Sequence, residues 1–196
     1  MTNASYLPGT QIEIVRPIIP GRIKHALFDF DGTISLLREG WPDIMGPVMV
    51  EMICGGAEPD PEIVEEVNRV IDETTGIQTI FQMEILVELV RKHGRVPEDQ
   101  ILDAHGYKQI YNGRLMEPVN ERIARLESGA LTVEQATLRG SLEFVRNLRE
   151  RGVMLYVFSG TDQDDVRNEA AKVGAAPYFD EIWGALPSVE EYSKEK

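Results

Sequence analysis

The chain has 196 residues, 42% hydrophobic and 27% charged, and its 20 basic against 33 acidic side chains give a formal net charge of −13. That length holds one domain plus a large insertion, and the acidic balance argues against nucleic acid as a direct partner, which would need a basic face. No apolar run approaches a membrane span, the N-terminus lacks a signal-peptide pattern, and the one cysteine, Cys54, excludes an internal disulfide and fits a reducing, cytoplasmic setting.

Residues 1–24 join a polar start, the alternating stretch Gln11-Ile-Glu-Ile-Val15 and a cluster of Pro17, Pro20 and Gly21. This predicts a short edge strand and a turn. Next comes His25-Ala-Leu-Phe-Asp-Phe-Asp-Gly-Thr33, an apolar run predicted as core strand 26–30. From Trp41 to about Leu131 the pattern is helical. Pro42 opens a helix that stops near Gly55-Gly56, and Asp60-Pro61 starts a second with Ile63, Val67, Val70 and Ile71 at core-facing spacing. A third runs from about Ile77 to His93 and is stopped by Gly94. The region Pro97 to Glu127 is predicted helical with a break near Asn112-Gly113 and a restart at Pro118. Thr132-x-x-Gln135 reads as a capping box for a helix ending at Gly152. Strand 153–158, helix 162–173 and a short strand-like Tyr178 to Trp183 complete the series. Cys54 sits in an apolar stretch, as a small core thiol. The histidines at 25, 93 and 105 show no metal-ligand spacing.

Asp29 and Asp31 are two apart at a strand end, so they share one face, with Phe30 turned toward the packed side. Open α/β sheets bind ligands at such tips. Two carboxylates on one rim invite a hard cation such as Mg²⁺, and one can attack as a nucleophile while the other handles protons. Gly32 permits a sharp turn, and Thr33 adds a hydroxyl and an N–H for an anion. With so acidic a chain, a phosphate site depends on a local cation and aimed N–H groups, which again favours Mg²⁺.

Asp29-Phe-Asp-Gly-Thr33 resembles the first motif of haloacid-dehalogenase-like phosphohydrolases. The resemblance implies that Asp29 is the nucleophile that becomes an aspartyl-phosphate, that Asp31 is the acid and base, and that Mg²⁺ is held by Asp29 and by Asp31 through its backbone carbonyl. Val153-Met-Leu-Tyr-Val-Phe-Ser-Gly-Thr161 is similar to the second motif: Ser159 matches its phosphate-binding hydroxyl, with the Gly160 backbone beside it. A helix N-terminus following there would add N–H groups and a favourable dipole. The implied architecture is α/β: a Rossmann-like parallel sheet formed by residues 1–38 and 132–196, with a helical cap at 39–131. The cap is of the phosphoglycolate phosphatase or beta-phosphoglucomutase kind, and a cap that closes over the site excludes water. Arg38, Gln78, Gln82, Lys108 and Arg114 are candidate donors to the rest of the substrate.

The family pattern also has a lysine and then an acidic pair after a further strand. Lys194 is the match for the lysine, near the phosphate, with Lys196 a weaker choice. The strand and acidic pair do not follow in the chain as given, so the core is expected to lack its C-terminal part. Strand 26–30 would then be a sheet edge with unpaired backbone groups, covered by another segment, another chain, or the stretch 11–16. The resemblance implies a Mg²⁺-dependent phosphatase acting on a small phosphorylated metabolite. A sugar-phosphate mutase and a catalytically weak phosphatase-like binding module are the alternatives.

Overall fold

The apolar run before Asp29 is extended in the computed structural model of the chain, which describes residues 5–16 and 21–186. Pro17, Pro20, Lys194 and Lys196 lie outside the described residues. Strand β1 (His25–Phe28) pairs in parallel with β2 (Met154–Asp162), Phe28 lying opposite Val157. Strand β3 (Glu181–Ala185) pairs in parallel on the other side of β2, so the sheet order is β1-β2-β3. Parallel neighbours require long crossovers, and the helices supply them. The α/β class with a parallel Rossmann-like sheet is therefore observed.

Between β1 and β2 lie α1 (Trp41–Cys54), α2 (Pro61–Glu73), α3 (Thr79–His93), α4 (Ala104–Glu127), α5 (Val133–Ala136) and α6 (Ser141–Glu150); α7 (Gln163–Lys172) links β2 to β3. The first three follow the expected starts and stops. Pro42 occupies the first turn of α1 and Gly55 closes it. The Asp60 carboxylate caps α2 by accepting the Glu62 N–H at 3.0 Å. His93 ends α3, where its ring contacts Glu66 at 2.8 Å.

Two helix expectations are corrected. No break occurs at Asn112-Gly113 and no restart at Pro118: α4 is one helix of 24 residues. Its buried face is Tyr107, Tyr111, Leu115, Val119 and Ile123, one side chain per turn, and packing of that stripe outweighs the weak helix propensity of single residues. The Thr132/Gln135 capping box forms, but its helix ends at Ala136. There the chain extends to bond the segment after β1, with Leu36 N–H donating to the Ala136 carbonyl at 2.9 Å and Leu138 N–H to that of Ile34 at 3.0 Å. The helix toward Gly152 then starts afresh as α6.

A third expectation fails at the N-terminus. Residues 11–15 form no strand of the sheet; Tyr6 and Glu13 make an isolated antiparallel bridge instead. The stretch therefore does not cover the outer edge of β1, which pairs with β2 alone among the described residues.

The apolar interior runs continuously from the sheet into the helices, through Phe30, Ile34, Met45, Met49, Met83, Leu86, Leu155 and Val157, and includes Cys54. Phe28 meets Phe144 of α6 and Phe179 edge-on, at ring centroids of 6.1 and 5.8 Å. The opposite sheet face is open, with Leu27 65% and Met154 42% exposed. Among the described residues no helix is long and apolar enough to cross a membrane.

Candidate active site

The turn after β1 is built around Phe30. Its ring is fully buried, and its carbonyl accepts the N–H groups of Thr33, Ile34 and Ser35 at 3.3, 2.8 and 3.0 Å. Gly32 takes φ 74°, a conformation that side chains with a Cβ rarely adopt, and its N–H reaches the Ser35 carbonyl at 2.8 Å. With Phe30 anchored in the interior, Asp29 and Asp31 emerge on one side and line the same cavity. The Thr33 hydroxyl donates to Asp29 Oδ2 at 3.4 Å, a long bond.

The tip of β2 completes this floor. Asp31 Oδ2 accepts the Thr161 hydroxyl at 2.7 Å and the Ser159 hydroxyl at 3.3 Å, while Ser159 Oγ accepts the Thr161 N–H at 3.0 Å. Asp31 Oδ1 is buried and has no hydrogen-bond partner among the described residues. Such an atom is costly unless something else binds it. Thr161 was not singled out by sequence reasoning, although strand alternation puts it on the face of Ser159. Gly160 is needed for close approach: a Cβ there would sit 3.0 Å from the Ile77 carbonyl oxygen. The segment between α2 and α3 thus rests on the strand tip.

The cavity measures about 130 Å³. Its floor is Asp29, Asp31, Ser159, Gly160 and Thr161, and Arg38, Trp41, Thr75, Gln82 and Tyr111 contribute to its walls. Arg38 is a buried cation between a buried carboxylate, Glu169, and a partly exposed one, Asp165. Its Nε donates to the Glu169 oxygens at 2.9 and 3.2 Å, and Nη2 donates to Glu169 Oε1 at 2.6 Å and Asp165 Oδ2 at 3.0 Å. Burial works against the Arg38 charge, but bonding and attraction from Glu169 outweigh it and hold the guanidinium pKa above its ordinary value. Burial pushes the Glu169 carboxyl up, partly offset by Arg38. Burial likewise raises the Tyr111 phenol, keeping it protonated.

The other expected residues are distributed differently. Of the five candidate donors, Arg38 and Gln82 line this cavity, and Gln78 is buried beside it in sequence but is not part of its lining. Lys108 pairs with Asp162, and Arg114 pairs with Glu51 at 2.7 Å on the surface. The start of α7 also departs from expectation: Asp162, Gln163, Asp164 and Asp165 line a separate cavity of about 420 Å³. β2 continues to Asp162 before α7 begins at Gln163, and none of residues 162–165 is among those lining the Asp29 cavity. Among the described residues no group of three or more His, Cys, Asp or Glu could hold a metal ion. Asp29 and Asp31 offer a two-carboxylate set with one orphaned oxygen, and Mg²⁺, which keeps several waters, needs no more than one or two carboxylates.

No family model matches the chain, and no curated protein matches it in sequence. Solved structures do match in fold. A haloacid dehalogenase-like family hydrolase from Streptococcus pneumoniae superposes with a TM-score of 0.50 at 17% identity, over 84% of this chain and 62% of its own. A provisionally named phosphatase from Clostridium difficile gives 0.46 at 12% identity, over 83% of this chain and 61% of its own. The chain thus spans about three-fifths of the length of these structures. The first match, with the parallel sheet and the tip geometry, defines the class: the fold is haloacid-dehalogenase-like.

Proposed function

We propose that the chain carries out phosphoryl transfer as a Mg²⁺-dependent phosphatase of small phosphomonoesters. The observation that supports this best is the convergence of Asp29, Asp31 and Ser159 on one cavity at the tips of neighbouring strands, with Asp31 Oδ1 lacking a partner. In this reading an Asp29 oxygen bonds to phosphorus as the phosphorus–oxygen bond to the alcohol breaks, and Asp31 gives the leaving oxygen its proton. Water then attacks the aspartyl-phosphate, Asp31 takes a proton from it, and phosphate leaves with Asp29 restored. Asp29 and Asp31 hold Mg²⁺, which when bound offsets the negative charge brought together there.

Ser159 and the Gly160 N–H bind the phosphoryl group, and Thr33 steadies Asp29. Lys194 adds the positive charge that the cavity floor lacks. Residues 39–131 act as a cap on a core formed by 1–38 and 132–196. In support, Trp41, Gln82 and Tyr111 reach the cavity from the helical segment, and the Ile77 carbonyl lies against Gly160. A buried free Cys54 suits a cytoplasmic setting.

The test is hydrolysis of p-nitrophenyl phosphate with Mg²⁺ and with EDTA. Turnover is expected with the metal only, and Asp29→Asn is expected to lower kcat by about a thousandfold or more. Undiminished turnover in Asp29→Asn removes the nucleophile assignment, and equal rates in EDTA remove the metal.

A further inference from the structure

The Arg38 guanidinium has one edge to spare. Nε and Nη2 are committed to Glu169 and Asp165, whereas Nη1 makes no hydrogen bond among the described residues. Unlike Asp31 Oδ1, Nη1 is not shut off from solvent. Arg38 is only 8% exposed and is among the residues that line the Asp29 cavity. Gln82 contributes a complementary group from α3. Its Nε2 donates to Thr74 Oγ1 at 3.1 Å and the Thr74 carbonyl at 3.5 Å, which assigns the amide orientation and leaves Oε1 as an acceptor.

Charge decides what these groups can recognise. The one guanidinium already faces Glu169 and Asp165, and Asp29 and Asp31 share the cavity with it. Even with the Mg²⁺ and Lys194 proposed above counted beside Arg38, the carboxylates of Asp29, Asp31, Asp165 and Glu169 and the phosphoryl group's own charge leave a surplus of negative charge for a second substrate anion to meet. A hydroxyl meets no such barrier, since it accepts from Nη1 and donates to Oε1. Size adds a limit: a cavity of about 130 Å³ is near the ~150 Å³ that encloses a benzene, so a phosphoryl group leaves room for a short chain.

We propose that Arg38 and Gln82 bind a hydroxyl on the alcohol part of the substrate, selecting short neutral polyol phosphates over phosphorylated carboxylic acids. This rests on the phosphatase reading above and narrows its substrate class.

The experiment compares kcat/KM of the full chain on glycerol 1-phosphate, phosphoglycolate and p-nitrophenyl phosphate. Glycerol 1-phosphate is expected to exceed phosphoglycolate by about tenfold or more, the scale of one or two hydrogen bonds to a charged or polar group. Arg38→Lys retains a cation beside Glu169 but loses the free edge of the fork, and Gln82→Leu removes the acceptor. Each is expected to shrink that preference about fivefold or more, mainly through KM for glycerol 1-phosphate. An equal or reversed preference in the unaltered chain overturns the proposal, as does a preference unmoved by both substitutions. If p-nitrophenyl phosphate is hydrolysed without any polyol preference, only this proposal falls. If none of the three esters is hydrolysed, the phosphatase reading falls and takes this one with it.

Discussion

Glu169 is 1% exposed, yet it carries a carboxylate that, among the described residues, Arg38 alone accompanies closely. Replacing one member of such a pair leaves the other buried and uncompensated, which costs about 3–5 kcal/mol, whereas replacing both with apolar groups of similar size is often neutral. Arg38→Met is therefore expected to lower the unfolding free energy by about that amount, and Arg38→Met/Glu169→Met to recover most of it. Urea denaturation of the two variants and the parent measures this; a double variant as unstable as the single one contradicts it. The pair also marks how far single residues were readable. Asp29 and Asp31 stood out because their chemistry and their spacing lie within one short run. Arg38 and Glu169 meet across 131 positions of sequence, and no local pattern announces a partner at that range. Thr161 lies between these cases. Its alternation with Ser159 was visible, but its bond to Asp31 depends on the lateral register of β1 and β2.

At the scale of elements, the legible parts were those with a local stop signal, and the errors came where tertiary contacts override one. Asn112-Gly113 reads as a turn, but α4 passes through it because Tyr111 and Leu115 on either side are buried at 3% exposure each. The opposite error occurred at Thr137, where a helical pattern yields to strand-like bonding because Ser35 and Thr137 form a bridge. The α4 case leaves a testable weak helix former in the sequence. A Cβ at Gly113 would have nothing within 4 Å, and the position is helical, so an added methyl carries no steric cost. Gly113→Ala is expected to raise stability by about 0.5–1 kcal/mol, through a better helix former and a less flexible unfolded chain. An increase in the urea midpoint with an unchanged m-value supports this. A decrease would mean that the helix is interrupted there in solution.

The whole molecule combines two opposed properties, a large negative charge and a sheet covered on one side. Apolar runs in β1 and β2 suggested core strands, and parallel sheets are usually covered on both faces, but the sequence did not reveal which face lacks a cover. In the fold, Leu155 and Val157 point into the core and Ser159, on the same face, lines the Asp29 cavity, while Leu27 and Met154 lie on the open side with the stacked rings of Tyr156 and Trp183, centroids 5.6 Å apart. An exposed apolar face beside a strand edge that is unpaired among the described residues favours association. A net charge of −13 opposes it, but only while repulsion reaches between molecules. The screening length falls from about 30 Å at 0.01 M salt to about 3 Å at 1 M. The chain is thus expected to sediment as a monomer in dilute buffer and to associate reversibly as NaCl approaches 1 M. Leu27→Lys puts a charge on the open face without touching the buried side, and it should suppress the salt-induced species. Sedimentation velocity across a salt series gives the readout. Association that weakens with added salt would assign the contact to charge pairs, and association equal in Leu27→Lys would take the sheet face out of the explanation.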